Sequence, residues 1–303
     1  MASVTPGDPD AHTRLLPGMP GPRWSRRKAI YPSHLHAYLD CPNRCRLQYI
    51  RNLRVDTQWD RKLEVGNALH TVMEDIANGL RKRQPMPPIH TYQGRVEAML
   101  QQERYEAAEG LTLDDRAMDI ENVLRWAESA MEYIADPGAT MIRIEKYYPR
   151  HFDADAELGP VRLGAKADLV MKRRDERGPY IEIVDYKTGQ WRRPVDFAPA
   201  LSRISHRSQI HALLPGRRFP RVRFTYLWLA REETTHIEFD HDVMLSQWRE
   251  LRQVLQRMVT EEEWPMRPHP HTCRHCPYLN VACFPQVGAS GDPAGVDASE
   301  LRP

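Results

Sequence analysis

The chain has 303 residues, 41% of them hydrophobic, and 43 Lys and Arg against 41 Asp and Glu give a net charge of +2. That is enough to bury a sizeable core, as one large domain or one domain with an insertion, while the near balance of charge excludes a global nucleic-acid signal. No window nears the roughly 18 uninterrupted apolar residues of a membrane span, and the N-terminus lacks a signal peptide's apolar core, so a cytoplasmic protein is expected.

In chain order, residues 1–27 are rich in Pro, Gly and charge and read as a disordered lead. Ser33 is a plausible N-cap for a helix through "HLHAYLDCPNRCRLQYI". A second helix through "RKLEVGNALHTVMEDIANGLRKR" carries Leu63, Gly66, Leu69, Met73, Ile76 and Leu80 on one side. "QPMPP" breaks the chain, and residues 91–135 read as two further helices with Trp126 and Met131 on an apolar stripe, a helical insertion spanning about 84–138. From Met141 the period changes to that of strands: "MIRIEKYYP", "VRLGAKADLVMK" and "YIEIVDYKT". A helix near 198–214 follows, then strands "RVRFTYLWLA" and "TTHIEFD" and a long helix from Val243 to about Glu263. The order gives a mixed α/β core with helices before and after it. Residues 286–303 read as a disordered tail.

Two of those strands carry charges that a buried sheet should not. "RRDERGP" supplies turn residues between two alternating apolar runs, so they should pair as an antiparallel hairpin. Alternation puts Asp185 and Lys187 on the face of Ile181 and Ile183. With Asp168 opposite Ile183, the two aspartates become diagonal neighbours, close enough to share a hard cation, and Lys187 points at the same place. A register slip by one residue would separate them. A surface hairpin with solvated charges is the alternative.

His70 lies within an apolar helix, where a histidine is ordinarily packed or hydrogen-bonded. Gly66, one turn earlier on the same face, would let that face approach the sheet. The five cysteines are an odd number that argues against a disulfide framework and for metal or cluster ligation. "CRHCPYLNVACF" spaces Cys273, Cys276 and Cys283 as C-x2-C-x6-C, one ligand short of a closed four-coordinate site. His269, His271 or His275 could complete a zinc site. Basic clusters at residues 81–83, at Arg192 and Arg193, and at Arg217, Arg218, Arg221 and Arg223 read as solvated surface.

Taken together the motifs resemble the PD-(D/E)XK nuclease superfamily, in particular its RecB-type branch. Asp168 is followed 17 positions later by "DYKTG", with Ala167 in place of the nominal proline. "SHLHAYLDCPNRCRLQYI" is similar to the branch's Ser-Leu-Tyr-Cys-Pro helix, "GNALH" to its Gly-xxx-His motif, and "SQIHALL" to the Gln motif after the lysine, with Leu213 where a tyrosine is usual. The resemblance implies a restriction-endonuclease-like α/β fold, a mixed sheet core flanked by helices, in one nuclease domain over residues 28–285. It implies Mg²⁺ or Mn²⁺ held by His70, Asp168, Asp185 and the backbone carbonyl of Tyr186, and catalysis by Asp168, Asp185, Lys187 and Gln209. From the residues themselves, Glu145 could be an outer ligand or a solvated strand glutamate, and Trp191, Arg192 and Arg193 could stack on bases and contact phosphates of a single strand or form an exposed loop.

Nucleases with the same Cys-Pro helix tie it to a C-terminal cysteine triplet through a [4Fe-4S] cluster. The resemblance therefore implies an iron-sulfur clip joining the N- and C-terminal regions, with Cys41 added to Cys273, Cys276 and Cys283 of residues 265–285 and Cys45 as the spare. The implied activity is that of a DNA exonuclease of recombination, repair or CRISPR adaptation, acting on single strands or ends. No G-x-x-x-x-G-K-[ST] occurs, so a helicase partner would be another chain. An inactive nuclease-fold partner of a helicase and a zinc-stabilised structural protein remain the competing readings.

Overall fold

The computed structural model describes residues 23–25, 28–55, 59–153, 160–189, 221–274, 276–279 and 282–283. The expected helix near 198–214 lies outside them, as does nearly all of the expected lead and tail. Of the expected lead, residues 23–25 are described. Trp24 is 2% exposed, belongs to the core, and donates its Nε1–H to the Lys28 carbonyl at 3.1 Å.

Five strands form one sheet in chain order: β1 (Thr140–Asp153), β2 (Pro160–Asp175), β3 (Gly178–Lys187), β4 (Arg221–Trp228) and β5 (Glu233–Phe239). The pairings β1·β2, β2·β3 and β4·β5 are antiparallel, and β3·β4 is parallel. A parallel pair requires a crossover connection, and residues 188–220 are the stretch of chain between these two strands.

Helices cover both faces. The expected first helix is divided into α1 (Pro32–Asp40), α2 (Pro42–Cys45) and a π-helical turn (Arg46–Ile50). Its N-cap is Tyr31 rather than Ser33, because Pro32 sits at the first helical position, where a missing N–H costs nothing. Pro42 opens α2 in the same way. With α7 (His241–Thr260), these elements close over one face of the sheet, burying Leu35, Leu163, Ile183, Phe224 and Leu255 in one cluster. A methyl group on Gly164 would lie 2.2 Å from the Tyr31 ring, so the strand glycine makes room for the segment that enters α1.

The other face carries α3 (Arg61–Arg81) and α6 (Leu113–Ile134), which bury Leu69, Val72, Val123 and Trp126 against Leu169, Met171 and Val184. Between them lie a 3-10 turn (Ile89–Tyr92), α4 (Gln93–Met99) and α5 (Gln102–Ala107), so residues 91–135 form three helices rather than the expected two. Asp60 caps α3 by accepting from the amides of Lys62 and Leu63, and Thr112 and Asp115 cap α6 reciprocally. α7 runs to Thr260, close to the expected long helix, and α8 (Pro270–Arg274) begins the cysteine region.

One charge in β3 belongs to the fold alone. Glu182 is wholly buried, with Arg173 Nε at 2.7 Å from Oε2, while Tyr133 donates to Oε1 at 2.7 Å and Thr225 at 2.5 Å. Removing one partner of such a pair strands the other charge in the core. Arg173→Met should therefore lower unfolding free energy by about 3–5 kcal/mol, read as a fall in urea midpoint, whereas Arg174→Met on the exposed side should leave the midpoint unchanged.

Candidate active site

The site forms where β2 and β3 stop pairing. Their ladder ends at Leu169 and Val184, so the next residues along, Asp168 and Asp185, stand level across the gap. This replaces the expected register. Ile183 pairs with Val170, not Asp168, a shift of two residues that turns the diagonal relation into a direct one. Asp168 Oδ2 accepts the Tyr186 N–H at 2.9 Å, so a side chain takes over where the backbone ladder ends. The alternation of β2 also slips here. Ala167 and Val170, three apart, both enter the α1 and α7 cluster, although a regular strand would turn them to opposite faces.

His70 reaches the gap from α3. Its Nδ1 lies 3.5 Å from Asp168 Oδ1, and its ring meets that of Tyr186 edge-on at 5.9 Å. A methyl group on Gly66 would lie 3.8 Å from Thr188 Oγ1, an ordinary contact. Among the described residues, then, the glycine is not demanded by close packing of helix on sheet.

Lys187 closes the other side, its Nζ 2.5 Å from Asp185 Oδ2. Burial pulls the ammonium pKa down, but the charge and hydrogen bond of Asp185 and the charge of Asp168 outweigh it, and the net shift is upward. Lys187 is thus a cation in this arrangement. Tyr226, level with Asp185 on the parallel neighbour β4, turns its ring to the same ammonium, whose Nζ stands 5.9 Å from the ring centroid. Burial first, then Asp185 and Asp168, hold its phenol above the usual range, so it stays protonated. Sequence reasoning missed Tyr226, because its place beside Asp185 depends on a parallel register that no local motif encodes.

Gln209, Trp191, Arg192 and Arg193 lie outside the described residues, and so does the side chain of Glu145. Two carboxylates and an imidazole make a donor set suited to Mg²⁺ or Mn²⁺. Asp185 Oδ2 fits that use, being a buried carboxylate oxygen beside the Lys187 ammonium. Among the described residues no three His, Cys, Asp or Glu side chains already form a metal-ready group.

The cysteines gather elsewhere. Cys41, Cys273, Cys276 and Cys283 line one pocket together with Arg44 and Arg267, although more than 200 residues separate the first from the rest. Asn43 Nδ2 donates to Cys283 Sγ at 3.5 Å and the His269 N–H to Cys273 Sγ at 3.4 Å. The Cys283 thiol is pushed up to about 11, by burial first, with the Asn43 bond opposing the shift and Cys41, Cys276 and Cys273 adding to it. Cys45 is not among the residues lining this pocket; it is fully buried and donates to the His34 carbonyl.

Two aspartates and a lysine thus stand at the ends of neighbouring strands of an α/β fold, with a histidine from a covering helix. The chain belongs to the PD-(D/E)XK nuclease superfamily, which its sequence matches over residues 30–283. No curated protein sequence matches it. A solved structure titled "Crystal structure of SSO0001" is similar over 84% of this chain and 85% of its own, with 10% identity and a TM-score of 0.32.

The link from Asp168 to the Tyr186 N–H sets how firmly the strand end is held. A hydrogen bond to a charged acceptor contributes roughly 1.5–3 kcal/mol, so Asp168→Ala should speed hydrogen exchange of the Tyr186 amide by about 10–100-fold. Asp168→Asn, which keeps an acceptor, should recover part of the protection.

Proposed function

We propose that this nuclease-family chain is a Mg²⁺- or Mn²⁺-dependent deoxyribonuclease that degrades DNA exonucleolytically from ends or single strands. The observation that carries the reading is the meeting of His70, Asp168, Asp185 and Lys187 at one end of the sheet. Asp168, Asp185, His70 and the Tyr186 carbonyl would hold the cation, which when bound supplies Lewis-acid activation of water and charge relief at phosphate. Lys187, kept protonated by the aspartates, orients the attacking water and offsets charge on the scissile phosphate. Gln209 would position Lys187 or a phosphate. The exonuclease assignment, and a place in recombination, repair or CRISPR adaptation beside a helicase on another chain, rest on the likeness of the Cys-Pro helix and cysteine triplet to those of iron-sulfur exonucleases.

The four pocket cysteines support a [4Fe-4S] cluster that clips the N-terminal helices to the C-terminal region. N–H groups already point at two of the sulfurs, and Arg44 and Arg267 offset the charge of thiolates. The clip has no part in cleavage.

On linear DNA with Mn²⁺ the protein should release nucleotides, leave a circular duplex intact and fall silent in chelator. Asp185→Ala should abolish cleavage and Lys187→Ala should lower it about 10²–10⁴-fold with DNA binding retained. Cleavage at the wild-type rate in both variants would remove the site assignment. Protein purified without oxygen should be brown and hold about four irons per chain. Cys273→Ser should lose colour and stability together, and Cys45→Ser neither. Colourless protein with stoichiometric zinc would replace the cluster by a zinc clip.

A further inference from the structure

We infer that the ring of Tyr226 is the seat of the Lys187 ammonium, which makes Tyr226 a positioning residue of the active site. The inference rests on the nuclease reading above for its consequence in catalysis, though not for the contact itself. In the parallel pair β3·β4, Asp185 is level with Tyr226 and Lys187 with Trp228. Level residues share a face of the sheet, so the Tyr226 ring flanks Asp185 on the side where Lys187 extends. The ammonium then lies between a carboxylate oxygen at 2.5 Å and a ring centroid at 5.9 Å.

Asp185 alone would make a poor anchor. A lysine presents a compact point charge on a flexible stem, without the planar fork that orients an arginine. The same carboxylate would also help to hold the metal, and an oxygen engaged by a cation would be a weaker partner for the ammonium. An aromatic face attracts the ammonium by its quadrupole and offers no lone pair that competes for the metal. It therefore holds Lys187 in place in both situations.

The ring is itself braced. Tyr226 is 9% exposed and packs at 5.7 Å and 33° on Trp228, whose Nε1–H donates to Thr235 Oγ1 at 3.1 Å on β5. The edge strand thus supports the catalytic lysine through two rings. A ring placed only to fill the core would be replaceable by an aliphatic side chain of similar volume, and that difference is measurable.

The test compares Tyr226→Phe, Tyr226→Leu and Tyr226→Met, each assayed below its own thermal midpoint. The phenylalanine variant keeps the face and should hold kcat within about threefold of wild type. Leucine and methionine remove the face, and kcat should fall about tenfold with KM for DNA and Mn²⁺ affinity unchanged. Methionine, flexible and the better gap-filler, decides the matter if the leucine variant fails to fold. In parallel, the ¹H–¹⁵N signal of the Lys187 ammonium in the metal-free protein reports the seat without any turnover. It should be present in wild type and Tyr226→Phe and lost in Tyr226→Met. Wild-type kcat in the aliphatic variants, a phenylalanine variant as slow as they are, or a loss confined to KM would overturn the inference. An inactive wild type with a protected ammonium signal would instead sink the nuclease reading and leave the seat standing.

Discussion

The hydrogen bond from the Tyr186 N–H to Asp168 Oδ2 is the constraint from which the site follows. β2 and β3 are paired up to Leu169 and Val184 and then part. A parting of two strands leaves backbone groups to satisfy, and here an aspartate side chain bridges the gap. At that end the register sets Asp168 level with Asp185, and with Oδ2 on the Tyr186 N–H, Asp168 Oδ1 is turned to His70. The placement of the charges is thus a result of how the sheet ends. They occur where burial is giving way to solvent, with Asp185 26% and Lys187 41% exposed as side chains. Their desolvation is partial, and the same strand can be fully buried only a few residues earlier.

Much of this was legible in the chain. Alternation in "YIEIVDYKTG" put Asp185 and Lys187 on one face, and the turn in "RRDERGP" gave the antiparallel hairpin that forms. The register did not follow, because period-two alternation is unchanged by a slip of two residues. Three features escaped for the same kind of reason. Tyr226 joins the site through a parallel pairing with a strand 41 positions on from its partner, which no local pattern encodes. Glu182, between two isoleucines, reads as a solvent-facing residue of an amphipathic strand. It is buried instead, because helices cover both faces of the sheet and the alternate positions are interior too. Trp24 falls in a segment whose Pro and Gly content masks a single anchor into the core.

The two faces also divide the labour of the fold. α3 and α6 bring the histidine and complete the core over Val184 and Tyr186. α1 and α2 cover the opposite side and carry Cys41 out to the pocket it shares with the C-terminal cysteines. Asn43 stands at that junction, its backbone N–H donating to the Pro265 carbonyl and its amide to Cys283. The chain ends of the domain are thus drawn together on the side away from His70, by direct contacts that any clip would reinforce.

The sheet's connectivity also orders the assembly of the site in time. β1, β2 and β3 form a meander of short connections, whose pairings close small loops and form early. β3 and β4 are separated in the chain by residues 188–220, so their pairing closes a longer loop and is a later event. Asp168, Asp185 and Lys187 are therefore assembled in a half-built sheet before Tyr226 arrives. During that interval Lys187 has only carboxylates for company, and the aromatic wall is the last part of the site to be installed.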